Sequence, residues 1–393
     1  MEVFKQTKIC FVSTIPNTLF FYLELLKTLK NLDANVVVLT SENPFLFDLQ
    51  KKTGCAAYPI KISRSITLSG DLAAYRKIKK FFQKERIDLI HAHTPKAGLL
   101  SMLASYQAGI PVRLYTIHGL VLETAAGLKR RILRKCEQAA CRNSTKVLSV
   151  SKSLRERILQ EKICPADKII LLGDGSACGI DLNIYTLSDE VRKNAAEIRK
   201  RLSISAEAVV LGFVGRITPE KGISLLVRTF IELLKEKPDL HLLMVGRIDQ
   251  EREKVDSSTY SIIHGHPRIH LAGHVPYPVE YYAAMDIFVM PSKREGFGMC
   301  NIEAAGMGLP VVASRITGCV DSVQDGRTGL LFDLDNPQDL LSSLRKLIDN
   351  LQARIRMGQN GMQWVQTYFS SDRMVQEHLC LYSKLLKRED LRK

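Results

Sequence analysis

PSKREGFGMCNIEAAGMGLPVVAS, residues 291–314, holds the pattern that decides the fold. The apolar run before it predicts a buried strand, and within it we expect a loop over residues 291–299, a small-residue helix over 300–307 and a second strand over 311–313. A loop leading into a helix presents free backbone N–H groups and the positive end of the helix dipole, which both suit a phosphate. The stretch therefore predicts a strand–loop–helix–strand unit that carries a binding site.

Two glutamates in this stretch, Glu295 and Glu303, lie eight positions apart, with the turn Gly296, Phe297 and Gly298 between them. Eight helical residues rise roughly 12 Å, so we expect the two carboxylates to contact different parts of one long ligand. A carboxylate accepts two hydrogen bonds well, which suits the vicinal hydroxyls of a ribose or hexose. Taken alone, the pair is equally compatible with two ordinary solvated side chains, so the surrounding sequence has to decide.

The length and charge of the chain set the first limits. A chain of 393 residues, 46% hydrophobic and 25% charged, fits a globular protein of two domains. Residues 1–185 contain 28 Lys/Arg and 15 Asp/Glu, so they carry most of the net charge of +15. Such a basic half attracts nucleic acid, anionic lipid or phosphorylated substrates.

The nine cysteines are scattered and form no C-x-x-C pair, which is typical of buried thiols in a reducing compartment. No apolar run approaches the roughly eighteen residues that a membrane-spanning helix needs. We therefore expect a cytoplasmic protein without a spanning helix.

Apolar strands alternate with helical segments along the whole chain, first from residue 8 to 151 and again from residue 209 onward. This alternation predicts an α/β protein with two doubly wound parallel sheets, whose ligands bind at the carboxyl ends of the strands. Neither half has G-x-G-x-x-G after a strand, so the usual dinucleotide fingerprint is absent. The predicted domains are an N-terminal Rossmann-like domain (1–185), a linker helix (186–206), a C-terminal Rossmann-like domain (207–370) and a C-terminal helix (371–393).

Two cations stand at the start of the second domain. Arg216 follows the predicted strand 209–216, and Lys221 opens the next helix. Cations at a strand end beside a helix N-terminus can bind a diphosphate and stabilise negative charge on it as it leaves.

Six segments carry a resemblance to a known family: GFVGRITPEKG (212–222), GHV (273–275), EGFGMCNIEAAGMGLPVVAS (295–314), DGRTGLLF (325–332), HAHTPKAGLL (91–100) and TIHGL (116–120). Together they resemble the retaining glycosyltransferases of family 4, and in particular the bacterial capsular and exopolysaccharide branch. The resemblance implies the GT-B fold of two facing Rossmann-like domains, and we expect the C-terminal helix to return to the N-terminal domain.

The resemblance implies roles for individual residues, with the cleft between the domains completing the site. Arg216 and Lys221 would hold the donor diphosphate, Glu303 the ribose hydroxyls and Glu295 the donor sugar. Gly296, Phe297, Gly298 and Met299 would cradle the sugar and distal phosphate, Val275 would lie near the base, and His118 would face the reacting sugar. The catalytic set is then His118, Arg216, Lys221 and Glu295.

The resemblance also implies a reaction without a metal or other cofactor. A hexose would pass with retention from a nucleotide sugar, UDP-glucose or a UDP-N-acetylhexosamine, to a sugar or lipid-diphosphate-linked glycan in polysaccharide biosynthesis. The leaving phosphate would help to deprotonate the acceptor. His264, His266, His270 and His274 lack the regular spacing of a metal site, and we expect no metal there.

The loop STIPNT (13–18) replaces the glycine-rich loop that many family members have after the first strand, which leaves the acceptor open. The basic half suggests peripheral contact with an anionic membrane at its cytoplasmic face, through Lys77, Lys79, Lys80 and Lys84 on one helix and KRRILRK (129–135) on another. The alternative to a membrane contact is an ordinary solvated basic surface.

Two other functions remain open at this point. A sugar-nucleotide epimerase on the same fold would bind the same donor without needing an acceptor. A basic nucleic-acid-binding protein would explain the charge, but the chain shows no recognition helix or aromatic stacking motif, so we expect no nucleic-acid partner.

Overall fold

The computed structural model describes residues 2–63, 67–249 and 254–390, with side chains as far as residue 387. The chain forms two compact units. The first unit comprises Met1–Gly179 together with Ser371–Lys393, and the second comprises Ile180–Ser370. The C-terminal helix therefore belongs to the first unit, which confirms the prediction that it returns to the N-terminal part of the chain.

The first unit is built on a parallel sheet of seven strands in the order β3-β2-β1-β4-β5-β6-β7. The strands are β1 (Lys8–Val12), β2 (Asn35–Thr40), β3 (Ala56–Pro59), β4 (Leu89–His93), β5 (Val112–Ile117), β6 (Lys146–Ser149) and β7 (Ile169–Leu171). The helices are α1 (Leu23–Asn31), α2 (Pro44–Thr53), α3 (Leu68–Glu85), α4 (Pro95–Gln107), α5 (Gly127–Asn143), α6 (Lys152–Gln160) and, at the end of the chain, α15 (Ser371–Asp390).

The core of the first unit combines the central strands with the last helix. Every residue of β4 is buried, as expected for a strand covered on both faces. From α15, Met374, Leu379 and Tyr382 are buried in the same cluster as Ile9 of β1. Helix α15 therefore packs in the same hydrophobic core as strand β1.

The second unit has a parallel sheet of six strands in the order β10-β9-β8-β11-β12-β13. The strands are β8 (Val210–Val214), β9 (His241–Val245), β10 (Ile269–Gly273), β11 (Ile287–Met290), β12 (Val311–Ser314) and β13 (Gly329–Phe332). The helices are α7 (Asp189–Arg201), α8 (Ile223–Leu234), α9 (Ser257–Gly265), α10 (Val279–Ala283), α11 (Met299–Gly306), α12 (Cys319–Ser322), α13 (Pro337–Ile348) and α14 (Leu351–Tyr368).

Two parallel sheets with interleaved helices confirm the predicted α/β class and the doubly wound architecture. One local difference concerns the segment 19–29, for which the apolar spacing predicts a single helix. The structure has a 3₁₀ helix over Pro16–Tyr22 followed by α1. Pro16 stands at the first position of the 3₁₀ turn, where its missing N–H is tolerated.

No helix within the described ranges combines the length and the apolarity needed to cross a lipid bilayer.

Candidate active site

The centre of the second unit's sheet contains a topological switch point, which is where open α/β sheets bind ligands. Strands β8 and β11 are neighbours, but the chain leaves them toward opposite edges of the sheet. The loops that follow them, residues 215–222 and 291–298, meet at this point. A Cβ atom on Gly222 would overlap the carbonyl oxygen of Pro291, so only glycine allows the two loops to approach so closely.

Lys221 and Glu295 form an ion pair between these two loops. Nζ of Lys221 lies 2.5 Å from Oε1 of Glu295, and the side chains are only 18% and 12% exposed. The hydroxyl of Ser292 donates to the same carboxylate oxygen over 2.7 Å. Burial lowers the pKa of Lys221, but the charge and hydrogen bond of Glu295 raise it to a net value above 10.5. Lys221 is therefore a fixed cation at the switch point.

Arg216 is more exposed than Lys221. Its guanidinium lies 3.8 Å from Oε2 of Glu220, and its side chain is 55% exposed. Glu220 is engaged by Arg294, which forms a close ion pair with Oε1. Its carbonyl oxygen also accepts the backbone N–H of Lys293 over 2.8 Å, which again joins the two loops. Of the two cations that the sequence predicts at this strand end, Lys221 is largely buried and Arg216 is half exposed.

Glu303 lies on α11 and is held by tyrosine. The hydroxyl of Tyr282 donates to Oε2 of Glu303 over 2.8 Å, and Tyr282 is fully buried. Burial raises the pKa of Glu303 above its ordinary value of 4.5, although hydrogen bonds from Tyr282, Tyr185 and Cys300 act in the opposite direction. The two glutamates therefore have separate partners, as expected for carboxylates that contact different parts of a ligand.

The turn between the glutamates is shaped by two glycines with positive φ. Gly298, with φ of +87°, immediately precedes the first residue of α11, Met299. Gly318, with φ of +83°, packs so closely that an added Cβ would lie 2.6 Å from the backbone carbon of Gly296. Phe297 is buried and packs against Phe369, with ring centroids 5.3 Å apart. The turn thus places the N-terminus of an eight-residue helix beside the switch point.

Val275 is half-buried and lies two residues beyond the end of β10. This places it at the same end of the sheet as Lys221, because carboxyl ends of parallel strands share one edge. The sequence-predicted residues of the second unit thus lie in the segments that follow β8, β10 and β11 at that edge, with Glu303 within α11.

His118 belongs to the first unit and follows the end of β5. Its Nε2 lies 3.3 Å from Nδ1 of His93 and 3.5 Å from the hydroxyl of Tyr22. Burial, followed by the effect of His378, lowers the pKa of His118 to about 4. His118 is therefore a neutral imidazole at physiological pH.

The switch point of the first unit lies between β1 and β4. The loops that follow these strands are joined by a hydrogen bond of 2.7 Å between the hydroxyls of Thr14 and Thr94. The segment STIPNT therefore meets the HAHT segment at this point.

Several residues that support the site are not predicted by the sequence. Ser292, Glu220 and Arg294 hold the two loops of the second unit, and Tyr282 and Tyr185 hold Glu303. Tyr282 is separated from Glu303 by a whole strand and loop, so only the fold brings the two together. Ser292 and Arg294 lie within residues 291–314, next to Glu295, so the sequence could have indicated that they support the site.

The histidines 264, 266, 270 and 274 do not gather at one point. Nε2 of His270 lies 2.8 Å from Nδ1 of His241, while His264 bonds the carbonyl oxygen of Tyr260. Among the residues that the structure describes, no group of three or more His, Cys, Asp or Glu side chains is arranged to hold a metal ion.

Two family models match the chain. The first, described as "Glycosyl transferases group 1", matches residues 208–350, and the second, "Glycosyl transferase 4-like domain", matches residues 21–175. Over 361 residues the chain is 32% identical to the Staphylococcus aureus capsular polysaccharide biosynthesis glycosyltransferase CapM, in an alignment that covers 92% of each protein.

A second relative is an Escherichia coli UDP-Gal:alpha-D-GlcNAc-diphosphoundecaprenol alpha-1,3-galactosyltransferase, 23% identical over 329 residues and 82% of each protein. Among solved structures, the crystal structure of Anabaena Alr3699/HepE in complex with UDP and glucose superposes with a TM-score of 0.80 and 20% identity. That superposition covers 96% of this chain and all of the Anabaena chain, and at this identity it shows the shared fold.

Proposed function

This chain belongs to the glycosyltransferases of family 4, with the GT-B fold and a place in polysaccharide biosynthesis, and on that premise we propose that it transfers a hexose from a UDP-sugar with retention. The acceptor in this proposal is a sugar or a lipid-diphosphate-linked glycan. The E. coli relative supports this choice of donor and acceptor, because its name specifies a UDP-sugar and a diphosphoundecaprenol acceptor.

The observation that carries the proposal is the ion pair of Lys221 with Glu295 at the switch point. A buried cation that is already fixed can meet a diphosphate without reorganising, and such preorganised charge is the usual way to stabilise a leaving group. Arg216, whose side chain is more exposed, contributes a second cation to the same diphosphate.

The remaining donor contacts in this proposal are made mainly by residues at the same edge of the sheet. Glu303, which Tyr282 orients, binds the ribose hydroxyls. Glu295 offers Oε2 to the donor sugar, because Lys221 and Ser292 both occupy Oε1. The backbone N–H groups from Gly296 to Met299 face the sugar and distal phosphate, Val275 lies near the base, and His118 contacts the sugar being transferred.

The proposed reaction needs neither a metal nor any other cofactor. The bond between C1 of the sugar and the β-phosphate oxygen breaks, and the acceptor oxygen bonds to C1 on the same face. The acceptor proton passes to the departing phosphate oxygen, whose charge is met by Lys221, Arg216 and the N-terminus of α11. Activity that persists in excess EDTA supports this scheme, and loss of activity that is restored by Mg²⁺ contradicts it.

Thermal denaturation with UDP-, GDP- and ADP-sugars tests the donor. A ligand at a hundred times its dissociation constant stabilises the folded protein by about 2.7 kcal/mol, which is readily measured. We expect the UDP-sugars to raise the melting temperature and the others to have little effect. Stabilisation by GDP- or ADP-sugars alone would contradict the assignment of the base.

Incubation with the stabilising donor and lipid-diphosphate glycans tests the transfer itself. We expect a new glycoside whose anomeric configuration, measured by NMR, is that of the donor. An inverted product would contradict retention. Interconversion of the donor sugar without transfer would instead identify an epimerase.

A basic groove in the first unit supports a location at a membrane. It has a volume of about 510 Å³ and is lined by Leu99 of α4 and by Leu128, Arg131, Ile132, Lys135 and Cys136 of α5. Leu128 is 72% exposed and Ile132 is 44% exposed. Apolar side chains flanked by cations suit the headgroup boundary of an anionic bilayer, where each cation contributes about 1 kcal/mol.

The cations of the basic run 129–135 differ in their pairing and exposure. Arg130 and Arg134 both pair with Glu161, whereas Lys129, Arg131 and Lys135 are exposed. On α3, Lys79 donates to the side chain of Gln107. Lys77, Lys80 and Lys84 of α3 are exposed, so this helix adds cations to the proposed membrane contact.

Flotation with liposomes tests this contact. The variant Arg131→Gln/Lys135→Gln should lose binding to anionic liposomes, and Lys193→Gln/Lys200→Gln on α7 is a control with the same change in charge. We expect binding to fall with added salt and to need anionic lipid. Equal binding of both variants, or of neutral and anionic liposomes at low salt, would contradict a contact through the groove.

A further inference from the structure

Four histidines of the first unit pack around one tyrosine. His91, His93, His118 and His378 all lie within 6.1 Å of the ring of Tyr22, measured between ring centroids. His91 and His93 lie 4.2 Å apart on the same measure. The mechanism uses only His118 of this group. The other three are fully or almost fully buried, so their proton positions are set by their neighbours.

His91 has both ring nitrogens occupied away from His118, and His378 has its Nδ1 occupied. His91 bonds the hydroxyl of Tyr382 through Nδ1 over 2.5 Å and that of Thr116 through Nε2 over 2.6 Å. His378 must carry a proton on Nδ1, because that atom lies 2.7 Å from the carbonyl oxygen of Met374, which can only accept. His93 is thus the histidine in direct contact with His118.

The contact of 3.3 Å between Nδ1 of His93 and Nε2 of His118 allows two arrangements of neutral rings. In one, His118 donates from Nε2, and His93 then carries its own proton on Nε2. That atom of His93 is buried and has no hydrogen-bond partner among the described residues. A buried N–H without an acceptor is rare and costly, so this arrangement is disfavoured.

In the other arrangement, His93 donates from Nδ1 to a bare Nε2 of His118. The buried Nε2 of His93 is then a lone pair rather than an unpaired N–H. The hydroxyl of Tyr22, 3.5 Å from Nε2 of His118, can donate to the same lone pair. Burial raises the pKa of Tyr22 far above 10, so this hydroxyl keeps its proton. Two donors then converge on one nitrogen of His118.

We propose that His93 is a positioning residue that holds His118 as the neutral tautomer with its proton on Nδ1, and that this N–H is what His118 offers to an oxygen of the bound sugar. The second half of the proposal rests on the proposed function, and the first half does not. Among the described residues, Nδ1 of His118 has no hydrogen-bond partner, so the donor remains available. His118 acts here as a hydrogen-bond donor and not as a base.

Nitrogen NMR tests the tautomer directly on the full chain. In protein labelled with ¹⁵N-histidine, bare and protonated ring nitrogens have well-separated chemical shifts, and His118→Gln identifies the signals of His118. We expect Nδ1 protonated and Nε2 bare near neutral pH. A proton on Nε2, or an even mixture of the two tautomers, would overturn the proposal whatever the activity of the enzyme.

A pair of His93 variants tests the positioning role. The side-chain N–H₂ of His93→Asn can stand near the original Nδ1, whereas His93→Leu offers no donor. We expect His118 to populate both tautomers in His93→Leu. We also expect kcat to fall about tenfold, because one hydrogen bond that orients His118 is lost. His93→Asn should keep the tautomer and most of kcat.

Equal losses of kcat in the two variants would overturn the positioning role. The wild-type spectrum decides the tautomer even if a variant fails to fold. If that spectrum shows Nδ1–H but the protein transfers no sugar from any nucleotide sugar, the proposed function fails and the tautomer assignment stands.

Discussion

Nζ of Lys221 lies 2.5 Å from Oε1 of Glu295, although the two residues are 74 positions apart in the sequence. The pair joins the loop after β8 to the loop after β11, the two strands on either side of the switch point. Lys221 is therefore oriented before a ligand arrives. An incoming diphosphate then shares the Lys221 ammonium group with the carboxylate of Glu295.

Replacing Lys221 by Ala should lower kcat roughly a hundredfold to a thousandfold, because one preorganised charge at the leaving group is lost. The surface lysine Lys235, which pairs only with Glu232 in the described structure and is 66% exposed, provides the control. Release of the nucleotide by wild type, Lys221→Ala and Lys235→Ala gives the comparison, with circular dichroism to establish folding. Near-normal turnover of folded Lys221→Ala would rule out its role at the diphosphate.

Glu303→Gln should stabilise the folded protein at pH 7 while weakening nucleotide binding. Burial raises the pKa of Glu303 in the folded state above the ordinary value of 4.5. As pH rises above 4.5, the unfolded chain releases this proton first, so the wild type loses stability until the folded carboxyl also ionises. Glutamine does not titrate and avoids this loss.

Urea denaturation of wild type and Glu303→Gln between pH 4 and pH 8 measures this effect. The difference in unfolding free energy should vanish near pH 4 and grow toward neutrality. Loss of the charged hydrogen bond to ribose should weaken UDP binding about tenfold to a hundredfold. A variant that is less stable than wild type at pH 7 would contradict the assigned direction of the pKa shift.

Gly318→Ala should damage the donor loop, whereas Gly326→Ala should not. Both glycines have positive φ, +83° and +74°, so both substitutions strain the backbone by about 1 kcal/mol. A Cβ on Gly318 would additionally lie 2.6 Å from the backbone of Gly296, while one on Gly326 would meet nothing within 4 Å. Calorimetric titration with UDP should show weaker binding for Gly318→Ala only. Equal affinities would mean that the Gly296 turn does not touch the donor.

Tyr282→Phe should weaken UDP binding two- to tenfold, because Glu303 loses the hydroxyl that orients Oε2. Tyr281→Phe is a matched control, since within the described part of the chain its hydroxyl has only a contact of 3.5 Å with Arg201. The same titration compares the two variants. An unchanged affinity for Tyr282→Phe would show that Glu303 is positioned by other groups.

The sequence allows prediction of the fold class and the strand ends that carry the site, because both depend on local patterns. Buried strands appear as apolar runs, and Arg216, Lys221, Glu295 and Glu303 lie in the segments that follow such runs. Helices α6 and α9 were not predicted, since each has only nine residues and their sequences are polar or mixed.

The partners of the site residues could not be predicted in the same way. The bond from Tyr282 to Glu303 and the contact of Tyr22 with His118 depend on which strands become neighbours, and that order has no local signature. The difference between a fixed Lys221 and an exposed Arg216 likewise arises from the approach of a second loop.

Helix α15 supplies buried residues to a unit whose other residues end at Gly179. During synthesis, most of the first unit is made before the second unit, but Met374 and Tyr382 are made only after it. The hydrophobic core of the first unit therefore stays incomplete until the whole of the second unit has been translated. A nascent chain that stalls within the second unit exposes the gap that α15 fills.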